Sequence, residues 1–110
     1  MKRLISLTVT LTLIIISKPC LASGDPIAGA KIFETCSACH GEQGAGNKAL
    51  QVPKIAGRSE LQLVKKIQDY QRPSKSNKRV KATRAQMEEI AQSLPDQQAI
   101  EDVAAYITRL

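Results

Sequence analysis

Apolar positions after residue 24 recur three and four residues apart, which is the spacing of one face of an α-helix. Asp25 and Pro26 are suited to the N-cap and the first position of a helix. Gly41 follows His40, and glycine commonly ends a helix, so the pattern predicts a first helix from Asp25–Pro26 to about His40–Gly41. Its apolar or small face would be Gly29, Ile32, Phe33 and Cys36.

Three further segments have the same period. The second is predicted to start at Ser59, with Gln62 completing a capping box, and to end at Pro73. The third has another possible capping box at Thr83 and Gln86, and the fourth follows residues 95–96. We find no convincing strand pattern, so the expected fold class is all-α with about four helices. The three apolar stripes are Leu63, Ile67 and Tyr70; Met87, Ile90, Ala91 and Leu94; and Ile100, Val103, Ala104, Ile107 and Leu110.

Residues 41–57 contain four glycines and one proline and predict a long loop between the first two helices. A loop of this length in a compact domain usually packs on something or carries function.

The first 22 residues are typical of a secretory signal peptide. A basic start at Lys2 and Arg3 precedes an uncharged stretch over residues 4–16, which is too short to span a bilayer as a helix. A small-x-small site at residues 20–22 indicates cleavage near Ala22, which would leave residues 23–110 in the periplasm. An uncleaved membrane anchor, or a lipoprotein modified at Cys20, is the alternative.

Composition sharpens the question of what fills the core. The chain has 110 residues, a formal net charge of +6 and 3% aromatic residues, which excludes a large multidomain enzyme. Without residues 1–22 it has 88 residues and a formal net charge of +3. Domains of this size bury little apolar surface and commonly depend on disulfides, a metal or a cofactor.

The candidate chemistry lies in residues 36–40, which read C-x-x-C-H, the attachment signature of c-type haem. Cys36 and Cys39 lie on the same side of a helical turn, so both thiols can form thioethers with one edge of a porphyrin. His40 can then approach the iron as its proximal ligand. A thioredoxin-like dithiol, half of a zinc site and a plain disulfide are the alternatives. Haem attachment is favoured because the motif, the export signal and the small core agree.

A second iron ligand would come from elsewhere in the chain. Met87 is the single methionine after residue 22, and a thioether is a soft ligand that raises the potential of haem iron. Met87 also lies on an apolar stripe, so ordinary core packing is the alternative. Pro53 could supply the carbonyl that orients the ring of His40, although it is more simply a turn proline.

With these features the chain resembles the class I c-type cytochromes, in particular the small soluble bacterial monohaem type called cytochrome c-553. The similarity covers nearly all of residues 23–110. The resemblance implies a class I cytochrome c fold around one covalently bound haem c. The haem would be attached to Cys36 and Cys39, with His40 and Met87 as axial ligands and the Pro53 carbonyl as the partner of His40. It also implies that the first and last helices cross at Gly29, Phe33 and Tyr106.

These features lead to three functional hypotheses. The first is a monomeric periplasmic electron carrier that is not an enzyme. The second is a haem c subunit or docking module of a larger periplasmic or membrane oxidoreductase. The third is an open-iron sensor or enzyme, which requires that Met87 does not bind the iron.

The basic segment, residues 72–84, is the strongest charge asymmetry of the chain. It contains six basic residues and no acid, so it could steer redox partners that have acidic docking surfaces. A solvated loop is the alternative. Nucleic acid is an improbable partner because no aromatic residues interleave with the basic ones. We expect no stable membrane insertion after signal cleavage. The basic residues are Arg72, Lys75, Lys78, Arg79, Lys81 and Arg84.

Overall fold

The computed structural model describes residues 23–72 and 82–110. In these two ranges the chain forms four α-helices and no strand: α1 (Pro26–His40), α2 (Glu60–Gln71), α3 (Ala82–Ser93) and α4 (Gln97–Ile107). The all-α class and the four helices predicted from the apolar period are confirmed. The predicted signal peptide, residues 1–22, and residues 73–81 of the basic segment lie outside the described residues.

Three of the helices begin at side-chain caps, two of which the sequence indicated. The Asp25 carboxylate accepts a hydrogen bond from the Ile27 amide at 2.8 Å and opens α1. At α2, the Ser59 hydroxyl and the Gln62 side chain each accept a hydrogen bond from the other residue's amide, as a capping box requires. Asp96 caps α4 in the same way as Asp25 caps α1. Capping therefore sets the start of each of these helices.

The capping box predicted at Thr83 and Gln86 is wrong. Helix α3 already includes Ala82, so Thr83 lies inside the helix and cannot be its N-cap. Alanine has the highest intrinsic helix propensity, which favours a helix that continues on the N-terminal side of Thr83.

Helices α1 and α4 cross in close contact at Gly29. A Cβ atom at Gly29 would overlap the carbonyl oxygen of Asp102 and lie 3.0 Å from the Cβ of Tyr106. Beside this crossing the rings of Phe33 and Tyr106 pack with centroids 5.2 Å apart. The crossing expected from the resemblance is confirmed, and the absence of a side chain at Gly29 is what permits it.

A buried acid ties the start of α1 to α4. The Oδ1 atom of Asp102 accepts hydrogen bonds from the Asp25 amide at 2.7 Å and from the Gln98 side chain at 2.8 Å. The apolar core beside it is small and draws on α1, α2 and α4. Its buried members are Phe33, Leu63, Val103, Ala104 and Ile107.

Helix α3 packs against α2, and α2 in turn packs against α4. Within Ala82–Ser93, Ala91 alone is buried, so this helix adds little to the apolar core. No helix formed by residues 23–72 and 82–110 is both long enough and apolar enough to cross a membrane.

Candidate functional site

The apolar stripes of the four helices converge on one cavity of about 850 Å³. The stripe that the sequence indicated as core in the third segment lines this cavity in full, from Met87 on α3 to Leu94 just after it. Ile67 and Tyr70 of α2 and Ile107 of α4 line it as well. A cavity of this volume lies in the range of small-molecule and cofactor sites.

The last turn of α1 brings Cys36, Cys39 and His40 to the wall of the cavity. Cys36 is half-buried, and burial raises the pKa of its thiol. Cys39 is exposed, so the cavity opens to the surface beside it. The two sulfurs of the C-x-x-C-H motif therefore border one edge of the cavity, as attachment of a planar group at two points requires.

His40 is 6% exposed and lines the cavity. Its Nδ1 atom lies 2.9 Å from the carbonyl oxygen of Pro53. A carbonyl oxygen can only accept, so Nδ1 must donate the hydrogen bond. The Nε2 atom of the neutral ring then keeps its lone pair, which is the form of histidine that binds a metal.

The loop over residues 41–57 returns to α1 through Gly46. The Gly46 amide donates to the His40 carbonyl oxygen at 2.8 Å, and Asn47 and Val52 exchange a pair of backbone hydrogen bonds at 2.9 Å. Gly46 has a φ of +79°, and a Cβ there would lie 2.6 Å from the Lys54 amide nitrogen and the Val52 oxygen. This tight return positions the Pro53 carbonyl at His40. The sequence marked Gly46 only as a loop glycine and did not indicate this role.

Met87 lies on α3 and lines the same cavity as His40, with its side chain partly buried. The structure thus brings an imidazole from α1 and a thioether from α3 to one space, although 46 residues separate them in the sequence. A nitrogen and a sulfur donor together form a ligand set used by electron-transfer haem iron.

Among residues 23–72 and 82–110, four cationic side chains also line the cavity, and no carboxylate does. They come from the segment between α1 and α2, from α2 and from α3, so the sequence did not indicate that they would lie together. They are Lys54, Arg58, Lys66 and Arg84.

These features fit haem c. The two thiols at one edge match the attachment points of the group. Nε2 of His40 and the second, soft donor match its iron, and the apolar wall matches its ring. The four cations would offset the negative charge of the two haem propionates.

The comparison with known families decides the assignment. The family model described as cytochrome c matches residues 27–110.

The chain belongs to the cytochrome c family.

As in other class I cytochromes c, its cofactor is covalently bound haem c, which the C-x-x-C-H motif and the cavity accommodate.

Curated relatives of this cytochrome c domain come from bacteria. The chain is 37% identical over 105 residues to cytochrome c4 of Pseudomonas aeruginosa, which covers 96% of the chain and 46% of that protein. It is 35% identical over 108 residues to cytochrome c4 of Stutzerimonas stutzeri, covering 97% of the chain and 50% of that protein. Cytochrome c-554(548) of Halomonas halodenitrificans is 36% identical over 84 residues, or 76% of the chain and 94% of that protein. The chain spans about half the length of the cytochrome c4 relatives it matches.

Proposed function

We propose that this protein is a periplasmic electron carrier, rather than an enzyme, and that it transfers single electrons through one haem c with His40 and Met87 as axial ligands. The observation that carries the proposal is that His40, oriented by Pro53, and Met87 line one cavity beside the two cysteines. Family membership and the cytochrome c4 relatives support electron transfer as the activity.

In this proposal each residue has a defined task. Cys36 and Cys39 would hold the haem through thioethers, and His40 would bind the iron through Nε2. The Met87 thioether would be the second iron ligand and would favour the ferrous state. Haem supplies an iron that alternates between the ferrous and ferric states. The apolar stripes of the four helices exclude water, so little reorganisation accompanies the change of charge.

Electrons would enter and leave at the edge near Cys39. This side chain is exposed, whereas Cys36 is half-buried, which supports the Cys39 side as the accessible one. Lys54 and Arg58 are exposed and line the cavity, so positive charge lies close to its mouth. Together with the basic segment, they would attract redox proteins that have acidic docking surfaces.

Absorption spectra of the purified oxidised and reduced protein test the proposal. We expect a covalent haem c spectrum and, in the ferric form, the far-red band of a sulfur–iron bond. The variant Met87→Ala should lose that band and keep its haem. A ferric band that survives in Met87→Ala would disprove the axial assignment. A wild-type spectrum without the band would instead support an open-iron sensor or enzyme.

A subunit or docking module of a larger oxidoreductase is the second candidate. It is supported by the length of the cytochrome c4 relatives, which carry the matched region within a chain about twice as long. Sizing chromatography of the native protein separates the two proposals, because a free carrier should elute alone as a monomer.

Export to the periplasm rests on residues 1–22, for which cell fractionation and the N-terminal sequence of the exported protein are direct tests. A mature chain that starts near Ser23 is the expected result. A protein that retains residues 1–22 in the membrane fraction would contradict it.

A further inference from the structure

Within residues 23–72 and 82–110, helix α3, which carries Met87, packs against α2, and only Ala91 of its twelve residues is buried. The position of an iron ligand on such a helix depends on the contacts that hold the helix in place. The contacts between α2 and α3 therefore decide how firmly the Met87 sulfur is held.

Two side-chain contacts on one face of α3 join it to α2. Residues 84, 87 and 91 follow the i, i+3, i+7 spacing of a helix face. At the C-terminal end of this face, the Gln71 side chain of α2 donates to the Ala91 carbonyl oxygen at 3.1 Å. At the N-terminal end, the Arg84 guanidinium carbon lies 5.1 Å from the centroid of the Tyr70 ring. Met87 lies between these contacts.

The contact between Arg84 and Tyr70 has the geometry of a cation–π interaction, for which about 6 Å is the usual limit. Arg84 is also fixed from its own helix, because its Nε atom donates to the Glu88 carboxylate at 2.9 Å. The Glu88 side chain is only 14% exposed, so this ion pair is better shielded from water than a surface pair. The guanidinium is thus held over the ring rather than free to rotate away.

We propose that Arg84 and Tyr70 form a latch that holds α3 on α2 and so keeps Met87 on the haem iron. Both are positioning residues, since they act on the iron through the placement of Met87. This inference rests on the proposed function, because it assumes Met87 as an axial ligand. The latch hinders exogenous ligands, which must displace Met87 to reach the iron.

Imidazole binding to the ferric holoprotein tests the latch. Removing the contact by Tyr70→Leu or by Arg84→Gln should raise the imidazole affinity between about 2-fold and about 30-fold, the range that corresponds to one cation–π contact. The far-red sulfur–iron band should weaken in parallel. Tyr70→Leu leaves the charge of the protein unchanged, so a shared effect of both variants cannot come from the loss of a cation near the haem.

Two matched controls complete the experiment. Tyr70→Phe keeps the ring face and should retain the wild-type affinity. Lys65 also lies on α2, where it is exposed and does not line the cavity. Lys65→Gln therefore removes the same charge as Arg84→Gln without releasing α3, and it should leave the affinity unchanged.

The possible failures are distinguishable. Wild-type imidazole affinity in both Tyr70→Leu and Arg84→Gln, or an equal rise in Lys65→Gln and Arg84→Gln, would overturn the latch and leave the axial role of Met87 intact. If Tyr70→Leu does not fold, Arg84→Gln decides the question, because that side chain is 40% exposed and its loss leaves no cavity in the core. A wild-type protein without the far-red band would overturn the Met87 assignment and the latch with it.

Discussion

The Nδ1 atom of His40 and the carbonyl oxygen of Pro53 are joined by a hydrogen bond of 2.9 Å. The bond links the end of α1 to the loop that follows it, and it leaves Nε2 of the buried ring as the atom able to bind iron. A hydrogen bond at the second nitrogen also raises the basicity of a ligating histidine. A more basic ligand stabilises ferric iron, so under the proposed ligation by His40 this loop would contribute to the reduction potential.

Gly46→Ala should disturb that hydrogen bond and raise the reduction potential. The new Cβ would meet the backbone of residues 52–54 at 2.6–2.7 Å, which forces the Pro53 carbonyl away from His40. Loss of the hydrogen bond lowers the basicity of the His40 ring, so we expect the reduction potential to rise by on the order of tens of mV. A shift of about 59 mV corresponds to a tenfold change in a one-electron equilibrium constant. Potentiometric titration measures it.

Gly57→Ala is a matched control for that variant. Both glycines have a φ of +79°, but a Cβ at Gly57 has nothing within 4 Å. Both substitutions therefore introduce backbone strain of about 1–2 kcal/mol, and only Gly46→Ala adds the clash. An equal change of potential in the two variants would show that strain alone, and not the position of the Pro53 carbonyl, is responsible.

The crossing of α1 and α4 is the second place where a single methyl group should matter. Gly29→Ala would place a Cβ against the Asp102 carbonyl, so the helices must separate, and we expect a loss of about 1–3 kcal/mol or more of unfolding free energy. Urea denaturation of the holoprotein measures it. Lys31→Ala, at an exposed position on the same helix, should stay within about 0.5 kcal/mol of wild type. Similar losses in both would place the sensitivity in α1 as a whole rather than at the crossing.

Local patterns were enough to predict the helices and the C-x-x-C-H site, because helix period, caps and motif spacing are properties of neighbouring residues. Met87, Ile90 and Ala91 were correctly assigned to one helix face, whereas Leu94 lies just after the end of α3, and the period could not show that this face borders a cavity. The role of Gly46 and the contact of Arg84 with Tyr70 depend on how distant segments meet after the loop and α3 have packed. Such relationships have no local signal in the sequence.

Positive charge at the cavity mouth should be visible in reactions with small charged oxidants. Lys54→Glu should slow oxidation of the reduced protein by the anion ferricyanide by about 2- to 10-fold at low salt and speed oxidation by a cationic cobalt complex. Both effects should fade near 0.1 M salt, where the screening length is about 10 Å. Stopped-flow absorption measures the rates.

Lys31→Glu makes the same change of net charge as Lys54→Glu, at an exposed residue that does not line the cavity. It should have a much smaller effect. Equal effects of the two variants would mean that ferricyanide senses the overall charge of the protein and not the charge at the cavity mouth.

Without haem the chain should not fold stably. The apolar stripes of all four helices border a cavity of about 850 Å³, so the cofactor is a neighbour of the apolar face of every helix. Without the cofactor this open cavity would fill with water, and the stripes would lose the apolar burial on which a domain stable by only roughly 5–15 kcal/mol depends. The double variant Cys36→Ser, Cys39→Ser, freed of haem, should therefore show little helix in far-UV circular dichroism and no cooperative melting.

Ala38→Ser, at the exposed position between the two cysteines, should keep its haem and its helices. Native helix content with a cooperative transition in the haem-free double variant would mean that the small core of Phe33 and its neighbours is sufficient by itself.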